Sequence, residues 1–226
     1  MRIVMNLFIG AVVGFLASFI FLDNDFVLQF PDVATEMTII FGVVTLLLII
    51  FSIVGIAKVK KKSKAILSGN EEDERNDWMY KKYSDASLAG NISSILGIMT
   101  TCIAVITDQP IWLAISTAVL ALLGVYATIN ITNTMKYVYP ERNFPSYNDK
   151  NYSKKLLAMS DEGERHIILE GLYSAHNLTN GLLLLGIVLL LFYSEASGQS
   201  QLFSIIMIAI ILIVSNTRYM LKIRNR

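Results

Sequence analysis

Six apolar runs, near residues 3–22, 37–57, 88–107, 111–133, 172–193 and 200–219, dictate what this chain can fold into. Each reaches the roughly 20 residues a helix needs to cross a hydrocarbon core about 30 Å thick. Backbone N–H and C=O groups find no water there, so each run must satisfy them internally, as a helix; the strict alternation of barrel strands is missing. A hydrophobic content of 54%, a mean hydropathy of +0.54 and only 16% charged residues fit such a chain and not a water-soluble domain. The first run reads as a retained span. Its only base is Arg2, its apolar stretch is long for a signal peptide, and no small-x-small cleavage site precedes Asp23.

Charge then orients the spans. The connections Asp23 to Glu36, Asp108 to Pro110 and Ser194 to Gln199 contain acids but no base, so all nineteen Lys and Arg residues fall on one side. Short cytoplasmic loops retain Lys and Arg, which makes that side the cytoplasm and places both termini inside. The formal charge of +1 conceals this segregation. The expected architecture is an all-α integral membrane protein: six transmembrane helices as three hairpins, with two juxtamembrane cytoplasmic helices. Residues 1–57 would form an N-terminal hairpin, and 58–138 and 139–226 would each join a cytoplasmic loop helix to a hairpin.

The last two segments read as copies. Asn70-Glu71-Glu72-Asp73-Glu74-Arg75 recurs ninety positions later as Ser160-Asp161-Glu162-Gly163-Glu164-Arg165, followed by Tyr83-Ser84 against Tyr173-Ser174. After a one-residue slip Asn91 aligns with Asn180 and Gly97 with Gly186; later, Thr132-Asn133-Thr134 with Lys136-Tyr137 resembles Ser215-Asn216-Thr217 with Arg218-Tyr219. Both copies start on the same side, so the internal repeat is parallel, about an axis along the membrane normal.

Within each copy Asn70 and Ser160 suit a helix N-cap, and the acids that follow sit where the macrodipole favours negative charge. Glu71, Glu72, Glu74 and Arg75, with Asp161, Glu162, Glu164 and Arg165, therefore have two readings. They start and solubilise a helix, with ion pairs worth tenths of a kcal/mol, or they form a docking surface for a cytoplasmic partner. Met79, Tyr83 and Ala86, and Ile168, Leu169, Leu172 and Tyr173, give both helices an apolar stripe.

A second candidate group is Asn91, Asn130, Asn133, Asn177, Asn180 and Asn216, which with Asn6 fall toward the cytoplasmic ends of their spans. They serve as interhelical glue, at around 0.6 kcal/mol per contact, or they line an inward-facing vestibule. No span carries a central Asp, Glu, Lys or Arg, which disfavours an ion-coupled transporter. A third group, Lys58, Lys60, Lys61, Lys62 and Lys64, acts first as a stop-transfer signal and can attract anionic lipid headgroups; it lacks a folded element for reading nucleic acid.

Enzyme and metal readings find little support. The single cysteine, Cys102, allows no disulfide within the chain and reads as a small packing residue. His166 and His176 stand ten residues apart, too far for a helical ligand pair. His176 and Asn180 have the His-x-x-x-Asn spacing of some intramembrane proteases, but no second histidine motif accompanies them, and no Gly-rich phosphate loop or nucleophile elbow exists. No cofactor is expected.

Asp161 to Ile168, then Tyr173-Ser174-Ala175, and the stretch from Leu202-Phe203 to Asn216 resemble uncharacterised Gram-positive bacterial multi-span proteins known only as domains of unknown function. That family carries an Asp-Glu-Arg-Glu-like cytoplasmic motif before a span; Gly163 stands where its Arg is common. The resemblance implies a multi-pass protein of the bacterial cell membrane, with genes beside small helix-turn-helix regulators. The expected function is thus a non-enzymatic regulatory or stress-response partner that binds a small cytoplasmic regulator. The alternative is a transport component, working with an ATPase or in peptide resistance or export.

Overall fold

A computed structural model describes residues 30–65, 67–138, 142, 144 and 150–224. The run at 3–22, with Arg2 and Asn6, lies outside the described residues. Among those described, every regular element is a helix: α1 Phe30–Lys62, α2 Asn70–Ile106, α3 Ile111–Thr132, α4 Met135–Val138, α5 Tyr152–Met159, α6 Glu162–Ser197 and α7 Leu202–Arg224. Among the described residues five helical segments are long and apolar enough to cross a membrane: Val33–Lys62, Asn70–Ile106, Ile111–Val138, Glu162–Ser197 and Leu202–Arg224.

The helices are longer than the apolar runs that define them. The stretch before Glu36, expected to be a connection, is already helical from Phe30, with Pro31 in the first turn where a missing N–H is harmless. The loop helix and the span of each proposed copy are also not separate elements. α2 runs 37 residues and α6 36, straight through the change from polar to apolar sequence. Helical hydrogen bonding is indifferent to whether side chains face water or lipid, and no proline interrupts either stretch.

Both expected N-caps are corrected. The α2 cap position is Gly69, whose φ of 65° lies in the left-handed region that glycine tolerates, and Asn70 is the first helical residue. Ser160 closes α5 instead of opening α6: its hydroxyl donates 3.0 Å backward to the Leu156 carbonyl. The acids do occupy the first turns as expected, Glu71, Glu72 and Asp73 in α2 and Glu162 and Glu164 in α6. Lys60, Lys61 and Lys62 end α1, where the macrodipole favours cations.

Residues 30–161 form one compact unit and 162–224 belong to another. In the first, α2 runs antiparallel to both α1 and α3. The Thr35 hydroxyl donates to Gln109 Oε1 (2.8 Å) at one end of the α1–α2 contact and Gly55 meets Ala86 toward the other. Gly97 and Gly124 of the α2–α3 contact lie against Ala121 and Ser94. The buried seam of α2 is Ala86, Gly90, Ser93, Gly97, Thr100 and Ala104. Its alternating steps of four and three keep one face toward the partner in the left-handed, coiled-coil manner.

This unit is built inside out relative to a soluble bundle. Its fully buried side chains include Thr38, Thr45, Ser52, Ser93 and Thr100, while Leu47, Ile95 and Leu122 are 59%, 70% and 71% exposed. Lipid tails are as apolar as leucine, so burying large side chains gains little; small residues let backbones approach and gain dispersion contacts. At the polar end a different cluster, Val59, Met79 and Val138 with Tyr83 and Met135 against it, joins α1, α2 and α4.

The second described unit is the α6–α7 hairpin, joined through Gly198 at φ 64°. None of its residues is buried, whereas a third of the apolar windows of α1 and α2 is (33% each).

Candidate functional site

The most organised polar cluster joins α6 to α7. Asn216 Nδ2 donates to Asn180 Oδ1 at 3.1 Å, and Asn180 Nδ2 donates back to Asn216 Oδ1 at 3.4 Å. The second hydrogen of Asn216 goes to the Leu212 carbonyl (2.9 Å), and Asn180 Nδ2 is also 3.1 Å from His176 Nε2. Each carboxamide has two N–H donors, so all four are accounted for. The His176 ring lies against Tyr219, centroids 5.0 Å apart.

Asn91, Asn130 and Asn133 belong to the first unit and Asn177, Asn180 and Asn216 to the second. Asn91 and Asn177 are exposed, and Asn133 caps the end of α3. Asn130 returns its amide to the Tyr126 carbonyl of its own helix at 3.0 Å. Asn180 and Asn216 meet across α6 and α7.

The acidic-Arg motifs behave differently in the two units. Arg75 is only 10% exposed along its side chain. It pairs with Glu72 at 3.1 Å, reaches Asn76 Oδ1 through Nε and Nη2, and donates through Nη1 to the Ala65 carbonyl in the α1–α2 loop. Arg75 is therefore a clamp on its own loop. Glu71 and Glu74 point to solvent. In the second motif Asp161, Glu162 and Arg165 are exposed and Glu164 is half-buried.

Beyond that motif, α6 carries Ile167 (71% exposed), Leu169, Leu172 and Tyr173 on its surface. At 1.5 Å per residue α6 is about 54 Å long, well beyond the roughly 30 Å of a hydrocarbon core. Its first turns thus project from the apolar span as a rigid continuation of it. The carboxylates of Asp161, Glu162, Glu164 and Glu170 outnumber the Arg165 base along this arm.

Of the basic run, Lys62 lies 4.3 Å over the Trp78 ring and Lys60 5.5 Å over Tyr137, so both help bind α1 to its neighbours. Lys58, Lys61 and Lys64 are exposed. Cys102 is exposed on α2, outside the packed seam, contrary to its reading as a packing residue. Among the described residues no group of three His, Cys, Asp or Glu side chains is placed to hold a metal.

A family model described as a protein of unknown function (DUF3169) matches residues 1–223. The chain belongs to the DUF3169 family. No curated protein and no solved structure matches this DUF3169 chain.

Some contacts of the DUF3169 chain were not anticipated from its sequence. Hydroxyls take part in the polar links between elements of the three-helix unit: Ser94 with Thr128 at 3.0 Å, and Thr35 donating to the Gln109 carboxamide. The signal available was the seven-residue spacing of Thr38, Thr45 and Ser52, which marks one face of α1.

Proposed function

We propose that this DUF3169 protein is a non-enzymatic, multi-pass protein of the bacterial cell membrane, with six spans and both termini in the cytoplasm. It regulates by binding a small soluble protein at the cytoplasmic arm of α6. The observation that carries this reading is the unbroken α6, whose first turns present exposed Leu169, Leu172 and Tyr173 on one face beside Asp161, Glu162, Glu164 and Glu170. An apolar stripe flanked by carboxylates fits an amphipathic helix with basic flanks, bound by burial of the stripe and oriented by charge. A parallel repeat of residues 70–138 and 160–222 is supported by matching lengths: 37 and 36 residues in α2 and α6, 22 and 23 in α3 and α7.

The transport reading, with an ATPase partner or a role in peptide resistance or export, draws less support. Asn130 commits its amide to a carbonyl of its own helix, and Asn180 and Asn216 commit theirs to each other and to their own helices, so all three offer a substrate little.

A photo-crosslinking residue at Leu169, compared with one at Leu184 in the span, tests the proposal in native membranes. Leu169 is expected to yield one protein adduct, weakened by salt and by Glu162→Lys with Glu164→Lys. Leu184 should yield lipid adducts. Lipid adducts alone at Leu169, or a protein adduct indifferent to both charge reversals and salt, would overturn it.

A further inference from the structure

We propose that the groove between α6 and α7 is a binding site for the headgroup of an anionic phospholipid. The groove has a volume of about 460 Å³ and is lined by His176, Val214, Ser215, Arg218, Tyr219 and Lys222. Arg218 and Lys222 are four residues apart on one face of α7, both exposed, and no carboxylate lines the groove with them. Like charges at that spacing repel, and an anion held between them offsets that repulsion.

Position selects a lipid over a free ion. The apolar stretch of α7 runs from Leu202 to Val214 and gives way to Ser215, Asn216, Thr217 and Arg218, so the groove straddles the level where a hydrocarbon core meets its headgroups. One wall is apolar, Val214 and the Tyr219 ring held against His176. The mouth is basic. An acyl chain beginning along Val214 places its phosphate between the Arg218 guanidinium and the Lys222 ammonium, with the Ser215 hydroxyl beside them. A dissolved phosphate would use the bases and leave the apolar wall idle. Basic pockets between membrane helices on the cytoplasmic side are suited to such headgroups. The site needs α7 to cross the membrane and does not depend on the docking role of α6.

The test uses the full-length protein purified in mild detergent and offered equal amounts of phosphatidylglycerol and phosphatidylcholine with identical chains. Retained lipid is read by native mass spectrometry, and its position by a diazirine-bearing phosphatidylglycerol. The wild type is expected to prefer phosphatidylglycerol and to carry the adduct on residues 214–222, undisturbed by millimolar inorganic phosphate. Arg218→Gln with Lys222→Gln should weaken retention roughly fivefold per base removed. The charge-preserving pair Arg218→Lys with Lys222→Arg should keep it, as should Gln at Lys58, Lys60, Lys61, Lys62 and Lys64. Equal retention of both lipids, an adduct elsewhere, displacement by free phosphate, or a preference that survives the double Gln change would each overturn the proposal.

Discussion

Arg75 behaves as a structural tie because three kinds of acceptor surround it: a carboxylate, a carboxamide and a loop carbonyl. Arg75→Ala removes charge-assisted bonds from a mostly buried side chain, but Glu72 is 42% exposed and the ion pair itself is screened. The expected loss is about 1–2 kcal/mol, read as a lower thermal midpoint of the detergent-solubilised protein. Arg75→Lys should recover little, because one ammonium cannot replace a planar fork with several directed donors. The opposite sign is expected at Thr45. Its hydroxyl is buried without a partner, as is that of Ser52, so the isosteric Thr45→Val should leave the midpoint unchanged or raised by up to about 1 kcal/mol. The sequence showed Arg75 as part of a charged motif. It could not show the Ala65 carbonyl as a partner, because that contact is made only when the loop folds back over α2. Ser160 was misread for a related reason: a serine hydroxyl serves either helix end, and only the preceding α5 decides which.

At the scale of helices, run length and lack of alternation made the five long apolar helices of the described residues legible, and acid and base placement made their ends nearly so. Continuity of α2 and α6 was not legible, since the polarity switch that suggests a boundary does not act on the backbone. Pairing of Asn180 with Asn216 was likewise hidden, because it depends on how two helices are rotated about their axes. Asn216→Leu should strand the Asn180 amide and weaken the hairpin by about 0.6 kcal/mol, and by no more than about 1.7. Crosslinking between cysteines placed on α6 and α7 would measure that loss. Glycines separate the two units more sharply. A methyl group at Gly97 would stand 2.8 Å from the Ala121 Cα, a backbone atom that cannot swing aside. Gly97→Val should therefore cost about 1–3 kcal/mol. Gly186, aligned with it in the proposed repeat, has nothing within 4 Å, and Gly186→Ala should fold as the wild type does.

Over the whole molecule, charge and packing sort toward opposite ends of the same helices. Small residues hold α1, α2 and α3 together where the sequence is most apolar, and larger side chains, Met79 and Val138 among them, take over where it becomes polar. The α6–α7 hairpin has no such seam of its own, and it bears the exposed arm and the basic groove. The chemically differentiated end is thus the one that carries the bases, and the proposed function requires that end to face the cytoplasm. Single cysteines at Ala65, Asp108, Glu164 and Gly198, in a Cys102→Ser background, probe this most directly when intact cells are treated with a membrane-impermeant maleimide. Positions 108 and 198 are expected to label from outside, and 65 and 164 only after the membrane is opened. Labelling of position 164 in intact cells, with 198 protected, would contradict the orientation and with it the cytoplasmic docking arm.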